Sequence, residues 1–315
     1  MKLQTTIPLQ NAGHQIDYGS KLLLLGSCFV ENIGGKLNYY KFQQLQNPLG
    51  ILFHPLAIEN LVERSLANRF FSESEVFERD GIWQCFEAHS DLRANSSKEL
   101  VKMLNESLAK TKNAIENASH VFITLGTSWV YHHKGLDKVV ANCHKVPQKE
   151  FSKELVSAAV IKKSLEKVVA MVQGVNPNAQ LVFTISPVRH LKDGFVENQR
   201  SKANLITAVH EFREELAVSY FPAYEIVMDE LRDYRFYKND MVHPNELAVD
   251  YIWEKFKAVW ISSDCLAIMD EVEAIQKGLQ HRPFNADSEA HQKFKESLAA
   301  KIAYLQERYP FMKFE

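Results

Sequence analysis

Lys21-Leu22-Leu23-Leu24-Leu25-Gly26-Ser27-Cys28-Phe29-Val30 decides the architecture of this chain. The leucine run is too short to cross a membrane and shows no polar alternation. It fits a strand covered on both faces, as in a parallel sheet. Gly26 closes the strand, and Val30, Ile33 and Leu37 then recur at helical spacing. Gly34 and Gly35 fall inside that helix, at a cost of about 1 kcal/mol each relative to alanine. Something is therefore expected to pack closely against that turn.

The same pattern recurs along the chain. His120 to Leu125 and Gln180 to Ile185 read as buried strands, and Tyr224 to Met228 reads as a fourth. Helical periodicity lies between them, near 99–118, 150–173 and 200–217. Strands alternating with helices predict a three-layer α/β/α fold around a parallel, flavodoxin-like sheet. Two regions break the rhythm. Asp80-Gly81, followed by aromatics at Trp83 and Phe86, predicts an inserted hairpin. Residues 131–148 are polar and rich in His and Lys, and read as a long loop. After residue 262 the pattern is helical only. Phe294, Leu298, Ile302 and Leu305 form one stripe, with Asp287 or Ser288 as its cap. The expected organisation is one catalytic domain over 1–262 and a helical extension over 263–315.

Composition narrows the function. The 315 residues carry a net charge of −2, and 46% are hydrophobic, as in ordinary globular proteins. That balance argues against a disordered chain and against a basic nucleic-acid-binding surface. The four cysteines, Cys28, Cys85, Cys143 and Cys265, form no C-x-x-C pair, so neither a zinc site nor a disulfide framework is expected. No apolar signal-peptide core follows Met1, and no run is long enough to insert in a membrane. A cytoplasmic location is the expectation.

In open α/β sheets ligands bind beyond the carboxyl ends of the strands. That rule draws Ser27, Ser128, Arg189, His190, Asp240 and His243 toward one rim. Ser27 stands at a strand-to-helix turn, where free N–H groups stabilise an oxyanion. It is read as a nucleophile, against the plainer reading of a helix cap. A serine hydroxyl needs a base. His243 is that candidate, placed by Pro244 at the first turn of a helix whose inward face is Val249, Trp253, Phe256 and Trp260. Asp240, three residues earlier, is close enough to orient its imidazole. The competing reading is a surface histidine beside an acidic cap.

Gly26-Ser27-Cys28-Phe29-Val30 resembles the signature of the GSCFA family, a branch related to the SGNH/GDSL esterases. The resemblance continues through Asn47-Pro48-Leu49-Gly50, Leu125-Gly126-Thr127-Ser128-Trp129-Val130-Tyr131, Ser186-Pro187-Val188-Arg189-His190 and Asn198-Gln199-Arg200-Ser201-Lys202. It ends with Asp240-Met241-Val242-His243-Pro244 and His281-Arg282-Pro283-Phe284, and so covers about residues 20–290. It implies an SGNH-like fold with Ser27, Asp240 and His243 as the catalytic triad. It also implies an oxyanion hole from the N–H groups of Ser27 and Gly50. Ser128 stands where SGNH enzymes carry an asparagine.

The expected activity is a serine-dependent ester hydrolase or acyltransferase without metal or organic cofactor. An O-acetylated carbohydrate or another small ester is the expected substrate, and no nucleic-acid partner is expected. The alternative is a non-catalytic glycan or metabolite binder on the same scaffold. Arg189 and His190 are candidates for substrate binding, with His89 and Lys202 behind them. Cys28 is a competing nucleophile, since helix amino ends favour thiolates. The adjacent pairs His132-His133 and Cys143-His144 are poorly placed to share a metal. No dinucleotide or phosphate-loop motif is present.

Overall fold

A computed structural model describes residues 4–216, 218–285 and 287–314. Its strands are β1 (Lys21–Gly26), β2 (Gln43–Gln46), β3 (Phe77–Arg79), β4 (Ile82–Gln84), β5 (His120–Leu125), β6 (Trp129–His133), β7 (Lys138–Val140), β8 (Phe151–Leu155), β9 (Gln180–Ile185) and β10 (Ser219–Tyr220). Its helices are α1 (Phe29–Tyr39), α2 (Pro55–Leu66), α3 (Ser97–Asn117), α4 (Ala158–Val175), α5 (Phe195–Glu215), α6 (Ala223–Glu225), α7 (Glu246–Trp260), α8 (Leu266–Gln280) and α9 (Glu289–Arg308).

The central sheet has five strands in the order β10-β9-β5-β1-β2, and every neighbouring pair is parallel. Alternate residues of each strand serve opposite cores. Leu23, Leu25, Val121 and Ile123 pack with α2, α3, α4 and α5, while Leu22, Leu24 and Phe122 pack with α1, α7 and α8. This is a three-layer α/β/α fold. The C-terminal helices join the second core through Met269, Val272, Ile275 and Leu305. Ser288 caps α9, its hydroxyl accepting from His291 N–H at 3.2 Å.

Several expectations change. Residues 131–148 are not one loop. Residues 131–133 and 138–140 fall in strands β6 and β7 of an antiparallel sheet in the order β7-β6-β8, and 141–148 carry no strand. Tyr224 to Met228 is not a strand but α6 running into a π turn over Ile226–Glu230. Its apolar residues fill both cores, and Pro222, which lacks an N–H, precedes the segment. The last strand is instead the two-residue β10. The Asp80-Gly81 hairpin forms as β3–β4. At Gly34 the close neighbour is the Gln46 side chain of β2.

Candidate active site

The chain leaves β1 for β2 on one side and later returns to β5 on the other. The crevice above the ends of β1 and β5 is thus the switch point of the sheet. Gly26 makes the turn there with φ +135°, and a Cβ at this position would collide with the Thr124 carbonyl oxygen. Its N–H donates to Asn47 Oδ1 at 2.9 Å, and its carbonyl accepts from Leu52 N–H at 3.0 Å. The 47–52 loop is thereby pinned beside the crevice. Asn47 Nδ2 is buried and has no hydrogen-bond partner among the described residues.

The next two residues face different environments. Ser27 is fully buried; its N–H donates to Thr124 O at 3.0 Å and its Oγ accepts from Phe29 N–H at 3.4 Å. Cys28 is partly exposed at the head of α1. Burial pushes its thiol pKa up, with Glu31 adding to this, while Lys202 and Lys238 pull it down. The loop carrying Lys238, Asp240 and His243 is tied to the segment after β9, where Arg189 N–H donates to Val242 O at 3.2 Å.

Asp240 and His243 are joined. Asp240 Oδ2 lies 2.7 Å from His243 Nδ1, and Oδ1 accepts from the N–H groups of Val242 at 2.9 Å and His243 at 3.0 Å. Those bonds hold the Asp240 carboxyl down at about 2. Pro244 does not begin a helix. It bridges to Tyr237, and α7 begins after Asn245, whose side chain accepts from Ala248 N–H at 3.1 Å. His243 thus sits on a loop, with Nε2 free of hydrogen bonds among the described residues. No hydrogen bond joins it to Ser27 or Cys28 there.

Lys202 of α5 is the least ordinary residue of the site. It is 1% exposed, and its Nζ donates to Gly126 O and Ser186 O, each at 2.7 Å. It ties the ends of β5 and β9 together. Burial lowers its pKa to about 7, and Cys28 is the group that opposes the shift. His190 stands nearby, its N–H held by Asn198 Oδ1 at 2.8 Å and its buried Nε2 without a partner. Burial, then Lys202 and His243, hold its pKa at about 3, so the ring is neutral.

Four other candidates face elsewhere. Ser128 is fully buried, and its hydroxyl donates to Ser201 O at 3.1 Å, toward α5. Gly50 N–H donates to Asn47 O at 2.7 Å across its own turn. Arg189 lies over Tyr237, 4.2 Å from the ring centre, in a separate hollow lined by Tyr234. His89 pairs with Asp91 at 3.1 Å. Among the described residues no group of three or more His, Cys, Asp or Glu is placed to hold a metal ion, and no helix is long and apolar enough to cross a membrane.

The family model described as GSCFA family matches residues 21–256. The chain belongs to the GSCFA family. A second model, GSCFA domain protein, C-terminal domain, matches residues 272–315. No curated protein matches this GSCFA chain. Sequence reasoning undervalued Lys202 and gave Asn47 no role. A lysine in a helical pattern reads as solvated, but its Asn198-Gln199-Arg200-Ser201-Lys202 block was a signal.

Proposed function

We propose that this GSCFA protein is an acyl-transfer enzyme of SGNH type, an ester hydrolase or acyltransferase, with Cys28 as nucleophile and His243 as base. The observation that carries the reading is the Asp240–His243 pair, 2.7 Å apart, on a loop bound to the segment after β9 through Arg189 N–H and Val242 O. Cys28 is preferred over Ser27 because Ser27 is fully buried, whereas Cys28 is partly exposed at the head of α1. A cysteine is also the stronger nucleophile.

In this reading Cys28 Sγ attacks the acyl carbonyl as its proton passes to His243 Nε2. Asp240 holds Nδ1 and supports the imidazolium. The Cys28 N–H and Asn47 Nδ2 receive the oxyanion. The tetrahedral intermediate collapses to a thioester, and the alcohol leaves with the proton from His243. Water or an acceptor hydroxyl then attacks the thioester and gives its proton to His243. The product acid or ester departs, and that proton returns to Cys28.

The test is turnover of 4-nitrophenyl acetate, together with intact-mass detection of an acylated or iodoacetamide-labelled Cys28. Cys28→Ala and His243→Ala are expected to abolish turnover, and Ser27→Ala to retain it. Turnover that survives Cys28→Ala but not Ser27→Ala restores the serine mechanism. Absence of turnover with saturable ligand binding favours a binding protein.

A further inference from the structure

A hollow of about 190 Å³ adjoins the Asp240–His243 loop. It is smaller than ordinary ligand pockets, about 300–1,000 Å³, so it fits one chemical group rather than a whole ligand. Val227, Met228 and Leu231 give it an apolar side.

Two of its lining residues tie it to that loop. Arg189 N–H donates at 3.2 Å to Val242 O, the carbonyl of the peptide that joins Val242 to His243. Tyr237 bridges to Pro244, and the next residue, Lys238, donates its N–H to His243 O at 2.7 Å. The hollow and His243 therefore stand on adjoining backbone.

The charge lining the hollow is unbalanced. Arg189 and Arg232 line it, and no carboxylate pairs with either among the described residues. Asp233, the one carboxylate of the lining, is engaged elsewhere. It pairs with Arg235 at 3.0 Å and accepts from Arg235 N–H at 2.8 Å.

Arg189 is half-buried, and its guanidinium carbon lies 4.2 Å from the Tyr237 ring centre and 5.3 Å from that of Tyr234. The two rings are 5.9 Å apart. Such aromatic contact orders a guanidinium and contributes about 0.5–2 kcal/mol. It does not replace the bidentate, charge-assisted hydrogen bonds that the planar group forms with a carboxylate or phosphate. A partly desolvated arginine, ordered by two rings and lacking a carboxylate partner, is preorganised for an oxyanion.

We infer that this hollow is an anion subsite, in which Arg189, aided by Arg232, holds a carboxylate or phosphate group of the substrate. This deepens the proposed function by naming the substrate class, an acidic ester, and it rests on that reading only for the chemistry that follows binding.

Ligand-observed NMR titration with succinate and its neutral diamide tests binding without turnover, since the two share a carbon frame and differ in charge. Succinate is expected to bind saturably and at least about tenfold more tightly than the diamide, a difference that salt weakens. Arg189→Gln is expected to erase the difference. Arg232→Gln, at an exposed position, is expected to reduce it. No binding of succinate, equal binding of the two ligands, or a preference unchanged in whichever variant keeps the wild-type melting temperature overturns the inference. The source of the anion is read from mono-4-nitrophenyl succinate against 4-nitrophenyl butyrate. An advantage of at least about tenfold in kcat/KM for the acidic ester assigns the anion to the substrate. Turnover without that advantage overturns the assignment to substrate and leaves a free anion as the occupant. Binding of succinate with turnover of neither ester keeps the subsite and removes the enzymatic reading.

Discussion

Asp240 Oδ2 lies 2.7 Å from His243 Nδ1 while Oδ1 of the same carboxylate holds two backbone N–H groups of the loop. One side chain thus sets both the shape of the loop and the tautomer of the imidazole. Asp240→Asn is expected to lower kcat by about 10²–10⁴-fold with a smaller change in KM. Steady-state kinetics on the variant check this.

The Asp240 carboxyl is held at about 2, below its ordinary 3.8, by the backbone N–H groups of His243 and Val242 and then by the imidazole. A depressed carboxyl stabilises the loop above its unfolded pKa and loses that contribution as pH falls through the folded value. Carboxyl-detected NMR is expected to place the Asp240 midpoint near 2, and His243→Ala to raise it.

Lys202 makes stability rise with pH as well, in a higher window. Its folded pKa of about 7 lies below the ordinary 10.5. Between those values the unfolded chain binds the extra proton, so this group makes stability rise with pH from about 7 to about 10. One proton limits the slope to about 1.4 kcal/mol per pH unit. The difference in unfolding free energy between wild type and Lys202→Met is expected to show this slope, since buried tyrosines and thiols titrate in both proteins.

Asn47→Asp keeps the acceptor that holds Gly26 N–H and removes the Nδ2 donor. If Nδ2 meets the oxyanion, kcat is expected to fall by about 10²–10³-fold with a near-normal melting temperature. An unchanged kcat would remove Asn47 from the oxyanion hole.

Gly26→Ala places a Cβ against the Thr124 carbonyl at φ +135°. A loss of at least about 1–3 kcal/mol is expected in denaturant unfolding. Ser27→Ala, which deletes a buried acceptor for Phe29 N–H, is expected to cost about 0.5–2 kcal/mol.

The three innermost strands, β1, β5 and β9, were legible because a strand buried on both faces is a continuous apolar run. β2 was not, since Gln43-Gln44-Leu45-Gln46 is a half-buried edge strand with few apolar residues. Tyr224 to Met228 has the composition of a strand, but its packing against the two cores overrides that preference. The Asp-x-x-His pair was legible from its spacing taken together with its place near the end of the α/β region, ahead of a helix, since the spacing by itself is common. Which of Ser27 and Cys28 reaches the surface was not, because neighbours at a turn point in directions set by backbone dihedrals. The partner of Lys202 is also a tertiary fact, two carbonyls from strands far apart in sequence.

The β6–β8 sheet leaves the main fold at Ser128 and returns at Val156, where Val156 N–H donates to Ser128 O at 2.9 Å. The excursion is a loop closed at its base, inserted between β5 and α4. A segment anchored this way is exchangeable. Swapping residues 129–155 between homologues is expected to leave the parallel sheet and the Asp240–His243 loop in place.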